Sequence, residues 1–280
     1  MHQSKEAKLT GAEISERLHD GRYVYGTAIL SPSPFWPEAV RNTGVDFVFI
    51  DTEHVPIERT TLSWMCNTYR ALNIPPIVRI PSPDPVAAEM ALDGGATGII
   101  APYVESADEV RELVGAVKLR PLRGKLRRDV LDDRATLNSE TDDYIKDRNA
   151  NSVLIANVES VPAMDRLDEI LDVEGLDAVL IGPHDLSVSL GIPEKYGDPL
   201  FDRAVREIYR KARKKGVGAG IHFFWEGLDL EIEWAKAGGN LVIHSADYLI
   251  FEETLRKDLN KIREALGGDA SSEKISTTVV

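Results

Sequence analysis

The chain has 280 residues, 43% hydrophobic and 28% charged, with a formal charge of −13 at pH 7. Such a length accommodates a large core in one domain, and the acidic balance disfavours nonspecific attraction to nucleic acid or to an anionic membrane while demanding local cations wherever an acidic substrate binds. No apolar run approaches the roughly 18 residues of a membrane span, the start MHQSKEAKLTGAEISERL lacks the apolar segment of a secretory signal, and the single cysteine, Cys66, excludes an intrachain disulfide and a cysteine-rich zinc site, so a cytoplasmic protein is expected.

Short runs rich in Val, Ile and Phe alternate with longer amphipathic stretches from end to end. In chain order the strand candidates are YVYGTAIL, DFVFID, PIVRIP, GIIAPYV, SVLIANVE, DAVLIG, GVGAGIHF and NLVIHS. Between them SADEVRELVGAVKL, VPAMDRLDEILDV, DRAVREIYRKARKKG and LDLEIEWAKAG have helical spacing, several with a Ser or Asp cap and a closing Gly. Eight strands with intervening helices predict a closed (β/α)8 barrel in a single domain over 1–267. Two regions break the rhythm. Residues 120–151 form a long, highly charged loop that suggests a lid or a subunit contact, and residues 268–280 are small and polar, as in a disordered tail.

In such barrels the catalytic groups stand at the C-terminal ends of the strands. That rule gathers Asp51, Glu53 and His54 after the second strand, Arg79 in the third, Glu159 closing the fifth, Asp185 after the sixth and His222 in the seventh. Any one of them has a structural alternative, a helix cap or a local ion pair, but charged groups recurring on consecutive apolar strands are costly to bury without a purpose. Glu159 and Asp185 are hard oxygen ligands suited to Mg²⁺, Mn²⁺ or a similar divalent ion with positions left open. A 2-oxo acid such as pyruvate would chelate that ion, which stabilises an enolate. Arg79 can donate to the enolate oxygen, and His54 is the natural proton carrier near neutral pH. A Schiff-base aldolase needs a lysine inside the barrel, and none of the eight strand runs contains one. His222 receives no role.

The stretches DFVFIDTEH, PPIVRIP, ALDGGATGIIAPYVESADEVRELV, NVESVPAM, ILDVEGLDAVLIGPHDLSVSLG and AGGNLVIHSADYLI, in that order, resemble the HpcH/HpaI aldolases, the metal-dependent class II pyruvate aldolases. The resemblance implies a (β/α)8 barrel whose last helix is exchanged between paired subunits, and a homo-oligomer, commonly a hexamer. It implies that Glu159 and Asp185 bind a divalent cation (Mg²⁺, Mn²⁺ or Co²⁺), that Arg79 steadies pyruvate and its enolate, that His54 works as base with an acidic partner at the position of Asp93, and that Asp51 is a further catalytic residue. Four positions near the substrate depart from the family: Asn157 replaces a Gln, His184 precedes Asp185 where a smaller or uncharged residue is familiar, and Leu126 and Arg127 stand where Arg and Gly are expected near the aldehyde end of the substrate. The implied activity is reversible aldol cleavage of a 4-hydroxy-2-oxo acid to pyruvate and an aldehyde, small molecules both. The alternatives are decarboxylation of oxaloacetate or cleavage of a citramalyl- or malyl-CoA thioester through the same enolate, with LRPLRGKLRR as a possible phosphate-binding surface, and a noncatalytic barrel that binds an organic acid.

Overall fold

A computed structural model describes residues 9–224 and 227–269. All eight predicted strands form: β1 (Val24–Ile29), β2 (Phe47–Asp51), β3 (Pro76–Arg79), β4 (Gly98–Ala101), β5 (Val153–Asn157), β6 (Ala178–Ile181), β7 (Gly218–Phe223) and β8 (Leu241–Ala246). They pair in parallel, each with the next, and β8 closes on β1, which is the (β/α)8 barrel.

Strand side chains alternate between two cores, because successive Cβ atoms point to opposite faces. Phe47, Phe49, Ile77, Ile100, Val153, Ile155, Ala178, Leu180, Leu241 and Ile243 fill the barrel interior. Val48, Ile50, Val78, Ile99, Leu154, Ala156, Val179 and Ile221 pack outward against the helices. This parity positions the site. Asp51 continues the inward series of Phe47 and Phe49, Arg79 follows Ile77, Asn157 follows Val153 and Ile155, and each sits at its strand's C-terminal end. Gly26 is required by the interior: a Cβ there would lie 2.4 Å from the Phe47 ring.

The base of the barrel is closed by the helix Gly11–Asp20, which opens with a capping box between Thr10 and Glu13 and inserts Ile14 and Leu18 into the interior core. Its Ser15 and His19, one turn apart, meet the buried Asp177 at the foot of β6, which also accepts from Lys118 Nζ at 2.6 Å and Leu154 N–H at 2.7 Å. Both ring nitrogens of His19 face acceptors, Nδ1 at 2.7 Å from Gly216 O and Nε2 at 3.3 Å from Asp177 Oδ1. Only the imidazolium donates from both, and the Asp177 carboxylate raises the His19 pKa while burial and Lys118 oppose it. A folded-state pKa raised above the unfolded value stabilises fully below about 6.5 and is lost as pH rises through the raised value. The amides of Gly11–Asp20 are therefore expected to exchange faster at pH 9 than at pH 6 once corrected for intrinsic rates, and His19→Gln is expected to flatten that difference. Equal pH dependence in both proteins would refute it.

Residues 120–151 are not a loop. They fold into the helices Gly124–Leu131 and Ser139–Asn149, the second capped by Asn138. The segment connects the helix Ala107–Lys118 to β5 and so lies on the N-terminal face, as every helix-to-strand connection in the barrel does. The stretch VPAMDRLDEILDV divides at Arg166 into the helices Val161–Asp165 and Leu167–Leu171. Of the tail expected to be disordered, 270–280 lie outside the described residues. No described helix is long and apolar enough to cross a membrane.

Candidate active site

At the opposite, C-terminal mouth a cleft is lined by Leu30, Phe49, Asp51, His54, Arg79, Asn157, Leu180, His184, Asp185, His222 and Phe224, with Gly182 and Pro183 at one side. Asp51, His54, Arg79, Asp185 and His222, of those that the strand-end rule gathers, thus line one cleft, while Glu53 and Glu159 stand behind it.

Arg79 organises one wall. Its Nε donates to Asp51 Oδ1 at 2.9 Å and its Nη2 to Asp51 Oδ2 at 2.6 Å, a bidentate pair. Nε also stands 3.0 Å from Glu53 Oε2, and the guanidinium carbon lies 5.2 Å from the centroid of the Phe49 ring. Asp51 is buried, and burial alone would raise its pKa, but His54 and Arg79 hold the carboxyl well below the usual range. Burial raises that of Glu53. His54 Nδ1 lies 2.6 Å from Arg79 Nη2 and 3.3 Å from Asp51 Oδ2. The Asp51 carboxylate raises the imidazole pKa, with burial and Arg79 opposing. A guanidinium only donates, so with Arg79 in this position Nδ1 accepts and the proton resides on Nε2.

Across the mouth, Glu159 is 4% exposed. Its Oε1 accepts from Tyr103 N–H at 2.6 Å and its Oε2 from Asn157 Nδ2 at 2.9 Å. Burial pushes this carboxyl up to about 7; the Tyr103 amide draws it down and the charge of Asp185 pushes it further up. Asp185 stands in the first turn of the helix Pro183–Ser189. Asn157 Oδ1 is buried without a partner, and a Cβ on Gly182 would come within 2.1 Å of Glu159 Oε2, so only glycine leaves that oxygen room. A buried carboxylate raised by the charge of Asp185, an orphaned amide oxygen and a Cβ-free flank fit a hard divalent cation. Asp51, Glu53 and His54 also offer ligand atoms within 4.8 Å of one another. The Arg79 guanidinium already neutralises that group at hydrogen-bond distance, and a cation there would have to displace it.

Three expected site positions stand elsewhere, or make other contacts, within one chain. Asp93 ends the helix Pro85–Asp93, at the base of the barrel, where Thr97 N–H bonds Pro76 O at the start of β3. It is exposed and pairs with Arg120 at 3.2 Å, so within one chain the acid beside His54 is Asp51. Leu126 and Arg127 lie on the helix Gly124–Leu131 on the same N-terminal face. Leu126 is exposed, and Arg127, with Arg123, pairs with the buried Glu89, so within one chain neither reaches the mouth. Asn157 is fully buried and serves Glu159 as a hydrogen-bond donor. His184 does line the cleft and lies 3.7 Å from Glu194. Sequence reasoning passed over Tyr103, which holds Glu159 through its backbone at a left-handed φ of 51°. It was absorbed into the strand run GIIAPYV, and the strand-end rule applied to β4 would have found it.

The family profile described as HpcH/HpaI aldolase/citrate lyase matches residues 29–247. The chain belongs to that family. It is 31% identical over 255 residues, covering 91% of this chain and 94% of the relative, to a 2-keto-3-deoxy-L-rhamnonate aldolase of Escherichia coli O157:H7. Among solved structures it resembles an HpcH/HpaI aldolase from Desulfitobacterium hafniense DCB-2, with a TM-score of 0.75 and 28% identity over 89% of this chain and 96% of that one. It also resembles the citrate synthase SbnG, with a TM-score of 0.76 and 30% identity over 90% and 98%. As a member of the HpcH/HpaI family the chain is an enzyme, a lyase of the class II aldolase type, and the noncatalytic barrel is set aside.

Proposed function

We propose that the protein catalyses reversible, divalent-metal-dependent aldol cleavage of a 4-hydroxy-2-oxo acid to pyruvate and an aldehyde. The observation that carries this reading is the meeting, at one mouth, of the Asp51–His54–Arg79 cluster with Asp185 and with the Asn157 that holds the Glu159 carboxylate. Glu159 and Asp185 would hold Mg²⁺, Mn²⁺ or Co²⁺, which when bound supplies Lewis-acid polarisation of the keto oxygen.

The chain's own groups do the rest. Arg79 turns an N–H toward the same oxygen, where negative charge develops as the C3–C4 bond breaks. Once its Nη2 leaves His54 for the substrate, Nδ1 carries its proton against Asp51 and Nε2 becomes the free base. His54 then takes the C4 hydroxyl proton, the C3–C4 electron pair passes to the enolate, the aldehyde departs, and C3 is protonated. Phe49, Leu30, Leu180 and Phe224 keep the mouth apolar, which strengthens these charge interactions. The name of the E. coli relative supports a sugar-derived acid as substrate. A CoA thioester is less well supported, because Arg120, Arg123 and Arg127 are committed to Asp93 and Glu89 at the base of the barrel.

Enolisation is the step that the aldolase shares with no simple binder. With added Mg²⁺, Mn²⁺ or Co²⁺ the enzyme is expected to exchange the methyl protons of pyruvate for deuterium, followed by proton NMR. No exchange with any of the three ions would overturn the proposal.

The reading includes a homo-oligomer, a hexamer of paired subunits. What supports it is the helix Asp247–Ala265, which buries only Asp247 and Leu249 while Phe251, Leu255, Leu259 and Ile262 stand exposed at helical spacing. Light scattering at micromolar concentration is expected to give six times the 31.0 kDa chain mass; a monomer would contradict it.

A further inference from the structure

His222 is an ionisable side chain of the mouth that the proposed mechanism leaves without work. It stands next to the end of β7 on the inward face, 9% exposed, with the rings of Phe49 and Phe224 edge-on at 5.4 and 5.6 Å. Its Nε2 lies 3.1 Å from the carbonyl oxygen of Ser245, a residue held at φ 53°, where a non-glycine backbone is strained. A carbonyl only accepts, so the proton sits on Nε2. Burial pushes the imidazole down to about 4; the Ser245 bond opposes this and the Arg79 charge reinforces it, and the ring is neutral at neutral pH.

The tautomer fixes what the other nitrogen offers. Nδ1 carries a lone pair and no proton. Among the described residues nothing hydrogen-bonds it, and the ring lines the cleft. A carboxylate or keto oxygen, itself an acceptor, is repelled by such an atom; a hydroxyl is bound by it. Phe49 separates His222 from Arg79, so an acid whose oxo end is held by Arg79 can present a neighbouring carbon to His222.

We infer that His222 is a specificity-determining residue that accepts a hydrogen bond from a hydroxyl group on the substrate's carbon chain. This rests on the aldolase reading above. The hydroxyl belongs either to C3 of the 2-oxo acid or to the aldehyde, and the two sources are told apart by the compounds used.

The experiment measures kcat/KM for carbon–carbon bond formation in matched pairs: hydroxypyruvate against pyruvate with one common aldehyde, and glycolaldehyde against acetaldehyde with pyruvate. Three variants divide the functions of the ring. Gln places its amide near the position of Nε2 and keeps a donor to Ser245, Asn places an acceptor near that of Nδ1, and Leu has neither. In one of the two pairs the preference for the hydroxylated compound is expected to fall about tenfold in His222→Gln and His222→Leu, the range of one neutral hydrogen bond, and to be largely kept in His222→Asn. A general loss of structure would lower both members of a pair together and leave the ratio unmoved. Wild-type preference in the Gln and Leu variants in both pairs would overturn the inference, as would equal loss of the ratio in the Asn variant. ¹⁵N-histidine NMR of the wild-type enzyme checks the tautomer without any substitution: a proton found on Nδ1 also overturns it. Failure of the aldolase reading is distinguishable, because the wild-type enzyme would then show no deuterium exchange into pyruvate.

Discussion

Glu159→Gln is expected to slow pyruvate proton exchange by roughly 10³-fold or more while leaving the protein as stable as before. The magnitude follows from losing several kcal/mol of charge stabilisation at about 1.4 kcal/mol per factor of ten. Retained stability follows from the environment. Glu159 is buried, and burial already opposes its charge, so a neutral amide of the same shape removes a desolvation cost; its carbonyl still accepts from Tyr103 N–H, and its N–H₂ donates to the otherwise unpartnered Oδ1 of Asn157 once that amide turns over. Exhaustive chelation should match the substitution, with Mg²⁺, Mn²⁺ or Co²⁺ restoring activity to the wild-type protein and not to the variant. Isothermal titration with the metal alone reads the binding defect apart from turnover. Full exchange activity in either the chelated enzyme or the variant would remove Glu159 and the ion from the mechanism.

Arg79→Ala is expected to fail in both activity and stability. Asp51 is 3% exposed and bound by Arg79 through two hydrogen bonds, so removing the cation leaves an unpaired buried carboxylate with Glu53 beside it, at a cost of about 3–5 kcal/mol. Arg79→Lys restores a charge without the bidentate geometry, and should recover most of the stability and little of the rate. His54→Ala separates the other half of the cluster. It breaks no ion pair between Arg79 and Asp51, and should fold normally while exchange slows by roughly 10² to 10⁴, the range for a lost general base. Denaturant titration and deuterium exchange on the three variants decide the matter. Wild-type exchange in His54→Ala would take His54 out of the mechanism, and wild-type stability in Arg79→Ala would mean that Asp51 has another partner.

The barrel was legible in the sequence because its strands are short apolar runs and its helices amphipathic, and these periods depend on neighbours close in the chain. The strand-end rule placed Asp51, His54, Arg79 and Asp185 in one cleft, with Glu159 bonded to its Asn157, because each directly continues or closely follows a strand whose direction in a parallel barrel is common to all. That Asn157 and Arg79 point inward follows from the same two-residue alternation.

What the sequence could not determine is anything that depends on which face an inserted segment reaches. Residues 120–151 carry turn-breaking charge and read as a loop, yet they fold as two helices on the N-terminal face, because Arg123 and Arg127 find Glu89 and Asn149 caps back onto Arg120 and Ile145 carbonyls. The placement of Leu126 and of Asp93 away from the mouth follows from that. The backbone at Tyr103 and Ser245, both at positive φ, is likewise invisible in residue type, since neither is glycine. The sequence determined by itself that a barrel forms and which acids, bases and cations crown its strands, for these are local matters of period and chemistry. Only the tertiary structure decided that Asp51 takes two nitrogens of Arg79, that Glu159 lies against Gly182, and that His222 bonds Ser245 through Nε2. Those follow from distances between strands that are remote in the chain, where a shift of one residue exchanges a buried partner for solvent.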